Sequence, residues 1–233
     1  MHSQDSSPQG DLDVPAIDPV PAPWQLTGDA WIFVLSMPHD IRCEGSFTPA
    51  ELSGREAGGV SAAMVVNYTS SNVGPYKEIL WAPGAFDFGD CRRTSITRIF
   101  VSSWESVKNG QRNWGIPKDR ADFIITQEPD GTERVIVSQQ GHTFADLRVK
   151  KLGFSFPVTS ALVPAKLREL GQVHQGQAYF YTPSVRGWLS RARLLEAKID
   201  KTYFPDLGRG RVLAGFRLTR FNMHFPVART RPV

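Results

Sequence analysis

Stretches of apolar and β-branched residues recur along this chain of 233 residues, each closed off by Gly, Pro, Asn, Asp or Ser, and hardly any segment carries the signals of a long helix. That recurrence constrains the fold more than any other feature. Trp31-Ile32-Phe33-Val34-Leu35 is a continuous apolar run that suits a strand buried on both faces. Residues 62–68 and 76–81 read as two strands joined by the loop 69–75, which places Glu78 on a strand. Residues 121–126 and 134–138 form a hairpin around Glu128-Pro129-Asp130-Gly131, a turn sequence in which each position has a physical reason. Residues 144–156 read as strand pairs broken at Gly153; residues 178–181 and 212–226 add further strands. Residues 38–59 are turn-rich and read mostly as loop, and 164–170 fits either a helical turn or a strand. A helix is expected from Ser102, read as N-cap with Glu105 in a capping box, to Gly110, read as the residue that stops it. Many antiparallel strands with one or two short helices predict a mainly β protein, a closed barrel or a double-layer sheet.

The first eighteen residues are rich in Ser, Gln, Asp, Gly and Pro and hold too little apolar surface to offset the entropy of ordering, so 1–18 is expected to be a disordered tail and 19–233 one domain. No apolar run approaches a membrane span, and no charged n-region precedes an apolar h-region, so a cytoplasmic protein without membrane association is expected. Cys43 and Cys91 lack paired spacing, and the histidines stand singly, so neither metal nor cofactor is expected. The net charge is +4, with arginines crowding the segment from Arg186 to Arg231. They alternate with apolar residues, as in Arg217-Leu218-Thr219-Arg220-Phe221, which is how a solvent-facing strand reads. No nucleic-acid motif accompanies them, and an anionic substrate or an acidic carrier protein would be served by the same charge.

The chemistry concentrates at Gly110-Gln111-Arg112-Asn113-Trp114-Gly115-Ile116-Pro117-Lys118. Pro117 and the residue before it form a stiff extended segment that can aim Lys118 inward among Trp114, Ile116 and Phe123. Poor hydration there favours the neutral amine, and hence a nucleophile. Most lysines are solvated, and the residues alone leave that reading open.

Together with Gly74-Pro75-Tyr76-Lys77-Glu78 and Val212-Leu213-Ala214-Gly215-Phe216-Arg217-Leu218, this loop resembles the acetoacetate decarboxylase superfamily, whose nucleophilic lysine follows a proline. The resemblance covers roughly Pro21 to the C-terminus. It implies a large cone-like antiparallel β-barrel with the lysine inside, strand rather than helix at 191–198 despite good helix propensity there, and a homo-oligomer. It also implies a cofactor-independent decarboxylase acting on a β-keto acid, plausibly polyketide-derived, through a Schiff base on Lys118. Glu78 would orient the lysine or shuttle a proton, and Trp114, Arg112 and Tyr76 are the candidate substrate contacts. The sequence departs from the family in three places. Asp119 stands where a second lysine follows the first, and alignment on Trp31 puts Asp29 in place of an arginine and Ala63 in place of a second glutamate. These departures keep two alternatives open: a Schiff-base aldolase or dehydratase on the same scaffold, and a non-catalytic barrel that binds a hydrophobic carbonyl compound.

Overall fold

The computed structural model describes residues 15–43 and 45–233; the tail expected at 1–18 falls outside them over residues 1–14. In chain order the elements are β1 (Trp24–Ser36), α1 (His39–Cys43), β2 (Glu56–Gly58), β3 (Ser61–Ser70), β4 (Tyr76–Ala82), β5 (Gly84–Asp87), β6 (Arg92–Ser95), β7 (Arg98–Val101), α2 (Trp104–Trp114), β8 (Lys118–Arg120), β9 (Asp122–Gln127) and β10 (Thr132–Gln139). They continue with β11 (His142–Thr159), α3 (Ala165–Arg168), β12 (Leu170–His174), β13 (Gln177–Tyr181), β14 (Ser184–Ile199), β15 (Arg211–Phe225) and β16 (Arg229–Pro232). No helix among the described residues is long and apolar enough to cross a membrane.

Ten strands pair in the order β8-β7-β4-β3-β1-β15-β14-β11-β10-β9. The outermost two, β8 and β9, are consecutive in the chain with only Ala121 between them, so the sheet curls until its edges are neighbours and forms a nearly closed barrel. At this seam Ala121 donates its N–H to the Val101 carbonyl at 3.0 Å, and the Gln139 amide reaches the Arg120 carbonyl at 3.0 Å. Closure removes the exposed edges that an open ten-stranded sheet would present. A second, six-stranded sheet runs β16-β13-β12-β6-β5-β2.

The alternation of side chains along a strand gives the large sheet two separate cores. Trp31, Phe33 and Leu35 of β1 point into one, with Val135, Val137 and Leu147. Ala30 and Ile32, of opposite parity, point into the other, with Val66, Leu80 and Trp114. The unbroken apolar run of β1 follows from this, since both of its faces are covered.

Several local expectations need correction. The N-cap of α2 is Ser103, whose hydroxyl accepts from the Ser106 N–H at 3.2 Å; the Ser102 hydroxyl accepts instead from Lys77 N–H at 2.8 Å, tying the helix start to β4. The helix does not stop at Gly110 but runs on to Trp114 and ends at Gly115, which has φ 63°. Glycine is required at 115 on two counts: the left-handed backbone, and Tyr179, whose ring would lie 2.6 Å from an added Cβ. The strand pairs expected over 144–156 are one strand, β11, with its pairing to β14 interrupted between Leu152 and Phe156, where Gly153 has φ 65°. The segment 38–59 contains α1, a 3-10 turn at Ala50–Leu52 and β2. Residues 164–170 resolve into α3 followed by the start of β12, and 191–198 lie within β14, where pairing with β11 overrides helix propensity.

Candidate active site

Lys118 is the first residue of β8, which pairs parallel to β7 with Lys118 opposite Ile99. Its side chain turns into the second core, where it is only 5% exposed. The ammonium Nζ lies 3.2 Å from Glu78 Oε2 and 3.0 Å from the Ser106 hydroxyl. Glu78 comes from the middle of β4 and Ser106 from the first turn of α2, so three elements meet at one nitrogen. The lysine stem reaches this point by crossing α2 at Gly110: an added Cβ there would stand 2.7 Å from Cδ and 2.8 Å from Cε. A glycine that reads in sequence as a helix stop is therefore a passage for the lysine.

Two tyrosines complete the cluster. Tyr68 of β3 and Tyr76 of β4 are register partners, with ring centroids 4.5 Å apart. Tyr68 donates its hydroxyl to Glu78 Oε1 at 3.4 Å, and Nζ of Lys118 sits 5.2 Å from the centre of the Tyr76 ring. Burial, and after it the negative charge of Glu78, pushes both phenols well above the usual tyrosine range, so they stay protonated.

These groups open onto a cavity of about 280 Å³. Lys118, Glu78, Tyr76 and Trp114 all line it. Trp114 stands edge-on to Trp24 at 4.9 Å and to Phe225 at 4.7 Å, and its indole N–H is occupied by the Pro226 carbonyl at 2.7 Å, so it offers the cavity an apolar ring. Arg112 is not brought to the site: it is exposed on the outer side of α2 and donates to the Ile17 carbonyl at 3.0 Å. Ser106, Tyr68 and Gly110 were not identified from sequence as part of the site. For Tyr68 a signal existed, because a hairpin that faces Glu78 inward also faces Tyr76 and its cross-strand partner inward. For Ser106 and Gly110 it lay in their spacing, four apart on one helix face.

The departures from the family pattern take a definite form. Asp119 is the next residue on β8 and so points the opposite way from Lys118, to an ion pair with Arg98 at 2.6 Å, half exposed to solvent. Its carboxylate turns away from the cavity, and the neighbouring Arg120 pairs with Asp122. Asp29 accepts from the Arg220 N–H at 2.8 Å, and Ala63 packs in the first core. Both lie on the face turned away from Lys118. The side chains of β1 and β3 that do face the cavity, Ala30, Ile32, Ala62, Met64 and Val66, are apolar. Among the described residues, the lining therefore holds neither a second acid nor a guanidinium.

Architecture and site together define an acetoacetate decarboxylase-like β fold with a buried lysine–glutamate pair. Among solved structures the chain is similar to an acetoacetate decarboxylase-like enzyme from Sphingomonas wittichii RW1, with TM-score 0.65 and 14% identity over 91% of this chain and 93% of that one. It is also similar to the acetoacetate decarboxylase of Legionella pneumophila, with TM-score 0.63 and 10% identity over 99% and 98%. A third similar structure is the enduracididine biosynthesis enzyme MppR complexed with the condensation product of pyruvate and imidazole 4-carboxaldehyde, with TM-score 0.61 and 14% identity over 98% and 95%. At such identities the likeness establishes the fold. No protein-family model matches the sequence, and no curated protein matches it either.

Proposed function

We propose that this protein is a Schiff-base enzyme in which Lys118 condenses with the ketone of a β-keto acid, and that the acid is then decarboxylated. The observation that supports this most directly is the amine itself: buried, within hydrogen-bond reach of one carboxylate and one hydroxyl, at the wall of an apolar cavity. Transfer of a proton over 3.2 Å to Glu78 leaves a neutral amine, which attacks the carbonyl carbon. Loss of water gives an iminium ion, and the electron pair of the breaking C–C bond flows into it as carbon dioxide departs. Glu78 gives that proton back as water leaves on the way to the iminium, so the resulting enamine takes its proton at carbon from solvent, relayed by Glu78, and water then releases the ketone and the free lysine. Ser106 and the two phenols hold the amine and carboxylate in place. An apolar surround favours the step, since a carboxylate becomes neutral carbon dioxide.

The test is incubation of the purified protein with a set of β-keto acids, borohydride reduction, and mass mapping of the adduct, with carbon dioxide measured in parallel. An unmodified Lys118 under turnover would remove the mechanism. A second reading, aldol condensation or dehydration by the same imine, is favoured by the lining, in which Lys118 and Glu78 are the charged side chains among the described residues, so that no guanidinium among them meets a substrate carboxylate. An adduct at Lys118 without gas would select it. A homo-oligomer accords with Phe154, Leu162 and Leu167, which stand 87%, 86% and 77% exposed, and light scattering of the purified protein tests it.

A further inference from the structure

The lining of the cavity specifies more than a reactive amine. Among the described residues its polar side chains, apart from the Lys118–Glu78 pair, are Tyr68, Tyr76 and Thr94, with the indole N–H groups of Trp24 and Trp114 taken up by backbone carbonyls. The pair is mutually neutralising, so a second anion entering the cavity would meet no counter-charge, and an unpaired charge in an apolar site is strongly disfavoured.

The strand register shows how the lining is laid out. Glu78 lies opposite Val66. Two residues along in one direction the pair is Tyr76 with Tyr68; in the other it is Leu80 with Met64 and then Ala82 with Ala62. At about 3.3 Å per residue the last pair is on the order of 13 Å from Glu78. The cavity wall thus runs from an aromatic end, near Trp24 and Trp114, to an aliphatic end at Ala62 and Ala82, with the amine between them. A volume of about 280 Å³ corresponds to about nine groups of water size, taking ~30 Å³ for each.

We infer that the substrate carries an uncharged hydrocarbon portion of medium length, straight-chain or aromatic, on its carbonyl carbon, and that its only tolerated anionic group is the carboxylate one carbon away from the imine carbon. This rests on the Schiff-base reading for the position of the carbonyl, whereas the preference belongs to the cavity walls. Acetoacetate-sized compounds held at the amine would leave the aliphatic end of the wall at Ala62 and Ala82 uncovered. Compounds with a distal carboxylate or phosphate would be rejected.

The experiment uses the unmodified protein and two readouts. Calorimetric titration with 2-butanone, 2-hexanone, 2-octanone and 7-oxooctanoate measures the preference of the cavity. Borohydride reduction of the same mixtures, followed by mass mapping, measures imine formation on Lys118. Full burial of each added methylene strengthens binding by about fourfold, so 2-octanone should bind at least about tenfold more tightly than 2-butanone even if half of that is realised. The distal carboxylate of 7-oxooctanoate should cancel the gain. Equal affinities along the ketone series, or binding of 7-oxooctanoate as tight as that of 2-octanone, would overturn the inference. A rising series with no adduct on Lys118 would uphold the inference and remove the Schiff-base reading instead.

Discussion

Gly110→Ala separates the position of the lysine from the stability of the fold. In an exposed helix interior this substitution stabilises by about 1 kcal/mol, because alanine loses less backbone entropy than glycine. Here the new methyl would stand 2.7 Å from Cδ and 2.8 Å from Cε of Lys118, against an ordinary carbon–carbon contact of about 3.5 Å or more. The stem must therefore retreat by roughly 0.7 to 0.8 Å. It cannot simply swing, because Nζ is held at 3.0 Å by Ser106 and at 3.2 Å by Glu78 on either side. The distance to Glu78 is already at the long end for a hydrogen bond, so the displacement breaks at least that contact. A misplacement of about 1 Å at a reacting group costs on the order of a hundredfold in rate. The expected result is a melting temperature within a few degrees of wild type, with the rate of borohydride-trapped adduct formation reduced by about ten- to a hundredfold. Thermal unfolding followed by circular dichroism gives the first quantity and timed mass spectrometry the second. Trapping at the wild-type rate would show that the lysine does not need the passage over α2, and the description of the site would have to change.

Lys118→Ala should abolish the adduct, but it should also destabilise the fold by about 3 to 5 kcal/mol, because it leaves Glu78 buried and unpaired; combining Lys118→Met with Glu78→Gln should recover much of that loss in denaturant unfolding. Glu78→Gln alone should lower the maximal rate more than it weakens substrate binding, as expected for proton transfer in the transition state, and an unchanged rate would leave the carboxylate a merely structural role. Asp119→Asn should alter the trapping rate less than twofold, because Asp119 is half exposed and its partner Arg98 lies on the opposite face from Lys118. Tyr68, Tyr76 and Tyr181 are all pushed upward, mainly by burial, so the folded state favours the protonated phenols. Their contribution is complete below about pH 10 and fades as pH rises above it. Their ionisation in ultraviolet difference spectra should therefore coincide with alkaline unfolding, and ionisation in the folded protein at lower pH would contradict their burial.

Residues whose role is set by their own strand or turn were legible in the sequence, and residues whose role is set by a distant neighbour were not. The Glu128–Gly131 hairpin and the doubly buried run of β1 follow from local pattern, and both stand in the structure. Gly110 misleads because composition cannot distinguish a glycine that ends a helix from one over which a side chain passes. The Ser102-Ser103 pair offers two overlapping caps, and only the contact of Ser102 with Lys77 decides between them. Asp29 and Ala63 show a third kind of failure. An alignment anchored on Trp31 places them by count along the chain, but each is on the face opposite the cavity. Lys118 and Glu78 were singled out through motif order, and the structure brings them, 40 residues apart in sequence, to 3.2 Å in space.

Since β1, β3 and β4 send alternate residues to two cores, the cavity can be redesigned one strand position in two. Replacing Ile32, Met64 or Leu80 with side chains of other size changes the shape offered to a ligand, while Trp31, Phe33, Val65 and Ile79 keep the opposite core intact. In most enzymes of this size a pocket residue also supports the scaffold, and a new substrate is gained at the expense of stability. A library confined to Ile32, Met64 and Leu80, which leaves the Lys118–Glu78 cluster and the first core untouched, should therefore yield altered selectivity with few unfolded members.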